Sequence, residues 1–224
     1  MRADSAGDRD ARNALEQLCR GYWYPLYAYA RRQGLSVDDA QDLTQGFFAD
    51  LLRREDLRKV RQERGRFRSY MLAGMHNRIL NRSREQRAQK RGGDVVILSI
   101  DEERGEQRYQ LEPPTEETPE TIFERSWAMA VLKLAIDRLR DEYDKAGRSD
   151  LFHELQLYLP SAEKPPSYRE LADRLGMGVS AVTMTVHRMR QRFGFLLKEE
   201  LRQTVSSEEE FEEELRHLFS VIGR

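Results

Sequence analysis

Cationic side chains that could bind phosphates are concentrated in one stretch of the chain. Between Arg53 and Arg91 there are fourteen lysines and arginines against four acidic residues, although the whole chain has a formal net charge of −1. Basic surfaces bind polyanions in a salt-dependent way, and aromatic side chains beside them stack on unpaired bases for about 1–3 kcal/mol each. Phe67 and Tyr70 therefore favour single-stranded or melting DNA as the ligand. The alternative is a solvated basic helix whose aromatic residues belong to the core.

A second nucleic-acid signal lies between Tyr168 and Phe193. Ala172 is small where two helices must approach closely, and Gly176 follows where the chain must reverse with a positive φ. This pattern is typical of a helix-turn-helix, in which polar residues of the second helix reach base edges and arginines reach phosphates. The alternative is a helical hairpin of a protein-binding domain. The residues expected to face DNA are Ser180, Thr183, Met184, His187, Arg188 and Arg190.

No arrangement typical of catalysis is present. Asp38, Asp39 and Asp42 are conceivable metal ligands, but the sequence has no phosphate loop, HExxH motif, cysteine–histidine cluster or nucleophile elbow. We expect a protein that is not an enzyme and needs no cofactor. The one cysteine, Cys19, excludes an intramolecular disulfide and indicates a buried core thiol. It also suits a reducing cytoplasm. Because the sequence has no long apolar run, we expect no membrane span and no signal peptide.

The elements that must position these residues are helical. Apolar residues recur every three or four positions on both sides of a central acidic stretch, and capping boxes begin at Ser36 and Ser167. Pro25 is expected to kink or split the first helix. Residues 92–120 contain a short β-like run and then eight acidic residues and three prolines after position 100, a composition that cannot fold alone.

We predict an all-α protein of two small helical domains, an N-terminal bundle at 10–91 and a helix-turn-helix bundle at 121–204. An extended, acidic linker that contains proline joins them at 92–120. Residues 205–224 are predicted to form an amphipathic C-terminal helix.

Three motifs resemble conserved regions of a single protein family. Residues 39–48, DAQDLTQGFF, resemble the polymerase-binding helix of bacterial sigma factors of the extracytoplasmic-function (ECF) group, roughly D-A-E-D-L-T-Q-E-V-F. Residues 65–77 look like the next helix of that family, and residues 168–193 resemble its helix-turn-helix region. The three motifs stand in the family's order and spacing. The resemblance implies a factor that binds core RNA polymerase and directs promoter recognition and melting for transcription initiation.

The resemblance implies that the first motif docks on the clamp coiled coil of the largest polymerase subunit. Carboxylates and an amide beside an apolar ridge suit a basic, amphipathic partner helix. Gln41 and Gly46 replace family glutamates, and Gly46 costs about 1 kcal/mol of helix propensity relative to alanine, so a softer docking helix is expected. The implied polymerase-binding residues are Asp39, Asp42, Leu43, Gln45 and Phe48.

The resemblance also implies two DNA contacts. The second motif would capture bases flipped from the non-template strand near the start site, and the helix-turn-helix would bind the upstream element. The acidic linker would follow the RNA exit path. The implied partners are core RNA polymerase, double-stranded and locally melted promoter DNA, and an anti-sigma regulator. The start-proximal candidates are Arg68, Tyr70, Asn77, Asn81, Arg82, Arg84 and Arg87.

The acidic C-terminal helix lies beyond the resemblance. One hypothesis is that it shields the basic helix-turn-helix or docks on a regulator. The other is that its glutamate-rich first turn is solvated and its apolar face packs on the second domain. For the whole protein, the competing interpretation is a free-standing helix-turn-helix repressor or activator, which leaves the docking motif and the linker without a purpose.

Overall fold

The computed structural model describes residues 21–53, 66–85, 102–112, 116–160 and 165–223, and all regular structure in these ranges is helical, as predicted. The predictions for Cys19, the β-like run at 95–100, Arg87 and the side chain of Arg84 lie outside the described residues. None of the described helices is long and apolar enough to cross a membrane. The helices are α1 (21–32), α2 (Val37–Arg53), α3 (Phe67–Glu85), α4 (Glu102–Leu111), α5 (Pro119–Lys145), α6 (Ser149–Leu155), α7 (Tyr168–Leu175), α8 (Val179–Arg202) and α9 (Glu208–Ile222), with a 3₁₀ turn at Gln156–Tyr158.

The chain divides into two compact units whose boundaries differ from the predicted domains. Unit 1 consists of Met1–Ala130 together with Thr204–Arg224, and unit 2 is the single stretch Val131–Gln203. Helix α5 therefore contributes to both units, and α9 belongs to unit 1. The hypothesis that α9 packs on the predicted second domain, 121–204, holds only for the start of that range: His217 of α9 pairs with Glu124 of α5, but the buried carboxylate of α9, Glu214, pairs with Arg68 of α3.

Helix α1 forms the centre of unit 1. All residues from 22 to 30 are buried, so this part of the helix has no face open to solvent. Tyr22 meets the ring of Phe67 edge-on, with centroids 5.1 Å apart, and accepts a hydrogen bond of 2.8 Å from Trp127 Nε1. The helix is not split at Pro25, and Gly34 follows its end with a φ of 88°. Helices α3 and α5 are thus fixed to α1 by aromatic contacts.

The acidic segment predicted to be extended contains helix α4, which packs on α1. Gly105 is buried directly against the indole ring of Trp23. Glu106 accepts hydrogen bonds from both Arg31 Nε and Arg31 Nη2, each at 3.1 Å. The prediction of an extended linker is wrong for 102–111. The segment has few apolar side chains of its own, of which Tyr109 meets the ring of Tyr27 edge-on, and the aromatic surface of α1 supplies the rest of the area against which it packs.

Unit 2 carries the predicted helix-turn-helix. A capping box opens α7: the Glu170 N–H donates to Ser167 Oγ at 3.2 Å, and the Ser167 N–H donates to Glu170 Oε2 at 2.7 Å. Gly176 has a φ of 61°, which reverses the chain between α7 and α8 at little steric cost. The apolar stripe of α8 is buried as predicted, at Val182, Val186, Met189 and Phe193.

Candidate polymerase and nucleic-acid interfaces

The accessible face of α2 is acidic. Asp38 and Asp42 are exposed and Asp50 is half-buried. Together with Gly46, these positions repeat every four residues and therefore line one face of the helix. Asp39, also half-buried, forms an ion pair with Arg82 of α3. This face can bind a basic surface by charge complementarity, and the small Gly46 leaves room for close approach.

The sequence-predicted docking residues divide between this face and the core. Asp42 is exposed and Asp39 is half-buried. Leu43 and Gln45 are only 9% exposed, and Phe48 is fully buried. Phe48 packs edge-on against the ring of Phe47, with centroids 5.6 Å apart. The prediction of Leu43, Gln45 and Phe48 as contact residues conflicts with their burial, because a side chain enclosed by its own unit does not reach a partner surface.

Arg68 was selected as a DNA contact, but it is buried in unit 1. Its Nε donates to Glu214 Oε1 at 2.9 Å, and its Nη2 donates to Glu214 Oε2 at 3.1 Å. Its Nη1 pairs with Glu124, and its guanidinium lies 4.9 Å from the ring centroid of Trp127. Burial by itself acts to lower the pKa of Arg68, but hydrogen bonds and charges from these carboxylates raise it above its usual value. Arg68 is therefore a fully charged side chain enclosed by acidic partners.

The open face of α3 carries two amides beside two small residues, a histidine and a leucine. Asn77 and Asn81, both predicted DNA contacts, are exposed there, whereas Tyr70 is half-buried. Arg82 is half-buried and held by Asp39, and Arg78 is held by Asp50. Amides present both donors and acceptors, so this face suits base edges better than phosphates. The exposed residues of this face are Ser69, Ala73, His76, Asn77, Leu80 and Asn81.

A cavity of about 320 Å³ adjoins the same face of α3. His76 lines it, and the His76 Nδ1 atom lies 3.0 Å from the hydroxyl of Tyr29. Glu120, Glu124 and Arg68 also line the cavity; while Arg68 keeps its carboxylate partners, a polar ring suits the cavity better than a phosphate. The lining residues are Tyr29, Arg68, Ser69, Leu72, Ala73, His76, Asn77, Glu120 and Glu124.

In unit 2, the helix-turn-helix presents the predicted polar residues to solvent. The hydroxyl of Thr183 donates to the Val179 carbonyl at 2.9 Å, which leaves its oxygen lone pairs facing outward. Gly178 precedes α8 without a side-chain cap, so the backbone N–H groups of the first turn have no side-chain acceptor there. The exposed residues are Ser180, Thr183, Met184, His187, Arg188 and Arg190.

The arginines of α8 differ in how they are held. Arg190 Nε donates to the Tyr158 carbonyl at 2.9 Å. Arg192 forms two hydrogen bonds with Glu142, of 2.8 Å from Nε and 2.5 Å from Nη2. These bonds lower the pKa of Glu142 below its usual value. Arg188 is exposed. A phosphate can therefore meet Arg188 directly, whereas Arg192 must exchange a carboxylate for it.

Comparison with known proteins identifies the class. The profile of the ECF sigma factor family matches residues 5–151, so the chain belongs to that family, whose members bind RNA polymerase and direct initiation at promoters. The chain is 26% identical over 204 residues to ECF RNA polymerase sigma factor SigE of Mycolicibacterium smegmatis. The alignment covers 91% of this chain and 69% of that relative. No solved structure matches the chain. A free-standing repressor or activator is not favoured.

Sequence reasoning missed parts of these surfaces. Asp38 and Asp50 extend the acidic face of α2, and their spacing of four from Asp42 and Gly46 was the available signal. His76 belongs to the open face of α3 but was not selected. Nothing in the sequence pairs Arg68 with a carboxylate 146 residues away. Among the described residues, no three potential metal ligands come together.

Proposed function

We propose that this chain docks on core RNA polymerase through the acidic face of α2 and reads promoter DNA at two places. Helix α3 captures unpaired bases of the start-proximal element, and α8 binds the upstream element as a duplex. The protein acts in the cytoplasm, where core polymerase and DNA meet. The observation that carries the proposal is the side-by-side arrangement, in unit 1, of an acidic helix face and an open amide face.

The acidic face supports docking on a basic partner. Four aspartates of α2 lie at or beside the accessible surface. Asp38 and Asp42 are exposed, and Asp39 and Asp50 are half-buried. Complementary charge guides association and fixes register more than it adds affinity. The buried stripe beneath them holds the helix rigid, because Leu43, Phe47 and Leu51 pack into unit 1.

The open face of α3 supports base capture rather than duplex binding. Asn77 is both exposed and part of the wall of the adjoining cavity. A base that leaves the duplex stack can be bound by stacking and by hydrogen bonds along its edge. Glu120 and Glu124 in the same wall disfavour a phosphate there and accept hydrogen bonds from exocyclic amino groups.

The proposal is tested by run-off transcription with purified core polymerase and fragmented genomic DNA. Asp42→Lys is expected to lower affinity for core polymerase by at least about tenfold, or roughly 1.4 kcal/mol, and to lower transcript yield in parallel. Asp141→Lys, at an exposed position of α5, makes the same charge change and serves as the matched control. Asn77→Ala is expected to keep core affinity but lower the yield of open promoter complexes.

Two results would overturn the proposal. The first is core binding by Asp42→Lys as tight as that of the Asp141→Lys control, since docking would then not use this face. The second is normal open-complex formation by Asn77→Ala together with Asn81→Ala, since α3 would then not read bases.

A further inference from the structure

Helix α9 is attached to the start of α3 through buried charge. Glu214 is completely buried, and it binds Arg68 through two hydrogen bonds. Its neighbour Glu213 pairs with Arg66 at 2.7 Å in a more exposed position. His217 Nε2 lies 2.8 Å from Glu124 Oε2. Two adjacent glutamates of α9 therefore hold both of the arginines that flank the first residue of α3.

The backbone makes the same connection. The N–H of Phe67, the first residue of α3, donates to the carbonyl of Thr204 at 3.0 Å. Phe211 and Leu218 are buried on the inner face of α9. Cations at a helix N-terminus oppose the helix dipole, and nearby carboxylates offset them. The C-terminal segment thus caps α3, neutralises its first turn and covers it.

We propose that α9 is an intramolecular cover that competes with nucleic-acid phosphates for Arg66 and Arg68. This inference rests on the proposed role of α3 in binding DNA. With α9 in place, the exposed side chains of α3 in the described range 69–81 include no arginine, lysine, aspartate or glutamate. When a DNA strand approaches, the phosphates replace Glu213 and Glu214 as partners of the two arginines, and α9 moves away from the start of α3.

The energetics of buried ion pairs make such an exchange feasible. An enclosed arginine–carboxylate pair gains its Coulomb attraction at the cost of removing both charges from water. Removing only one member of such a pair is strongly unfavourable, because the other charge is then left buried without a partner. In the exchange, however, Arg68 gains a phosphate and Glu214 regains water, so neither charge remains buried and unpaired. Removal of Glu214 would also leave Glu124 beside Arg68 as a residual partner.

The first test measures binding of a fluorescent, random-sequence 12-nucleotide single-stranded DNA by the full chain. Glu213→Gln with Glu214→Gln is expected to raise affinity about three- to tenfold. Glu212→Gln, an exposed residue of the same helix, removes a charge without changing either pair and calibrates the nonspecific effect. An affinity no greater than that of this control would overturn the proposal.

The second test needs no variant and is unaffected if the double variant folds poorly. Hydrogen exchange of the wild-type chain is measured with and without saturating oligonucleotide. The expected result is protection of α3 and faster exchange at residues 208–222. Protection of α3 with unchanged exchange in α9 would refute the cover and leave the proposed function standing. No protection of α3 would refute base reading by α3 and, with it, the cover.

Discussion

Replacing Gly105 by alanine tests whether α4 is held against α1. A Cβ atom at this position would lie 2.5 Å from Trp23 Cζ3 and 2.8 Å from Trp23 Cη2. Trp23 is 2% exposed, and its ring stacks on that of Tyr27 with centroids 5.0 Å apart. The indole ring therefore cannot move aside without disturbing the centre of unit 1.

Two opposing effects set the size of the change. Alanine is favoured over glycine in a helix interior by about 1 kcal/mol, whereas overpacking a tight contact costs about 1–3 kcal/mol. We expect the clash to prevail, because the contact is with a rigid, stacked ring. The net loss in free energy of unfolding should be up to about 2 kcal/mol, which corresponds to a fall in Tm of up to roughly 8 °C.

The assay is thermal unfolding followed by circular dichroism and by tryptophan fluorescence, since Trp23 is one of two tryptophans. Gly46→Ala in α2 is the matched control. There a Cβ would lie 3.3 Å from Arg78 Nη1, the end of a flexible side chain, so Tm should stay constant or rise. An equal rise in Gly105→Ala would refute the docking of α4, because a free helix or an extended segment contains no clash.

Two further predictions concern the same unit. Gly74→Ala should lower Tm by a similar amount, because its Cβ would lie 2.7 Å from Phe47 Cε2 between α2 and α3; an unchanged Tm would contradict this close approach. Burial by itself raises the pKa of Glu106, but hydrogen bonds from Tyr27 and Arg31 lower it below its usual value near 4.5. The stabilisation is therefore complete above the unfolded-state pKa and is lost as pH falls through the folded-state pKa. Glu106→Gln should lower Tm at neutral pH and flatten its decline below pH about 4.5, measured by thermal melts across that range; parallel curves would contradict this linkage.

The helix-turn-helix was predictable from sequence because its determinants are local. The capping box joins residues three apart, and the reversal needs only that Gly176 adopt a positive φ. The buried stripe from Val182 to Phe193 follows from helical periodicity alone. Each signal lies within a few residues of the feature that it predicts.

Helix α4 was not predictable in the same way. Its composition correctly indicates that it cannot fold alone, but it does not reveal a partner surface elsewhere in the chain. That surface is the aromatic face of α1. There Gly105 packs against the indole ring of Trp23, and the guanidinium carbon of Arg108 lies 3.7 Å from the ring centroid of Tyr24. Helix α1 itself was predicted from its periodicity, but because residues 22–30 are buried on all sides, the sequence did not distinguish the face that contacts α4.

The α3 segment shows why the number of basic residues in a sequence overestimates the positive charge that is available to bind DNA. In the described part of that segment, Arg66 and Arg68 are paired with glutamates of α9, and Arg78 and Arg82 are paired with aspartates of α2. These four arginines, of the fourteen basic residues between Arg53 and Arg91, are thus neutralised within unit 1. Salt dependence of DNA binding reports the phosphates that a protein actually neutralises. It follows that the free chain should bind single strands with a shallower salt slope than its composition suggests, because a paired arginine adds to the slope only where a phosphate displaces its carboxylate or a substitution removes that carboxylate.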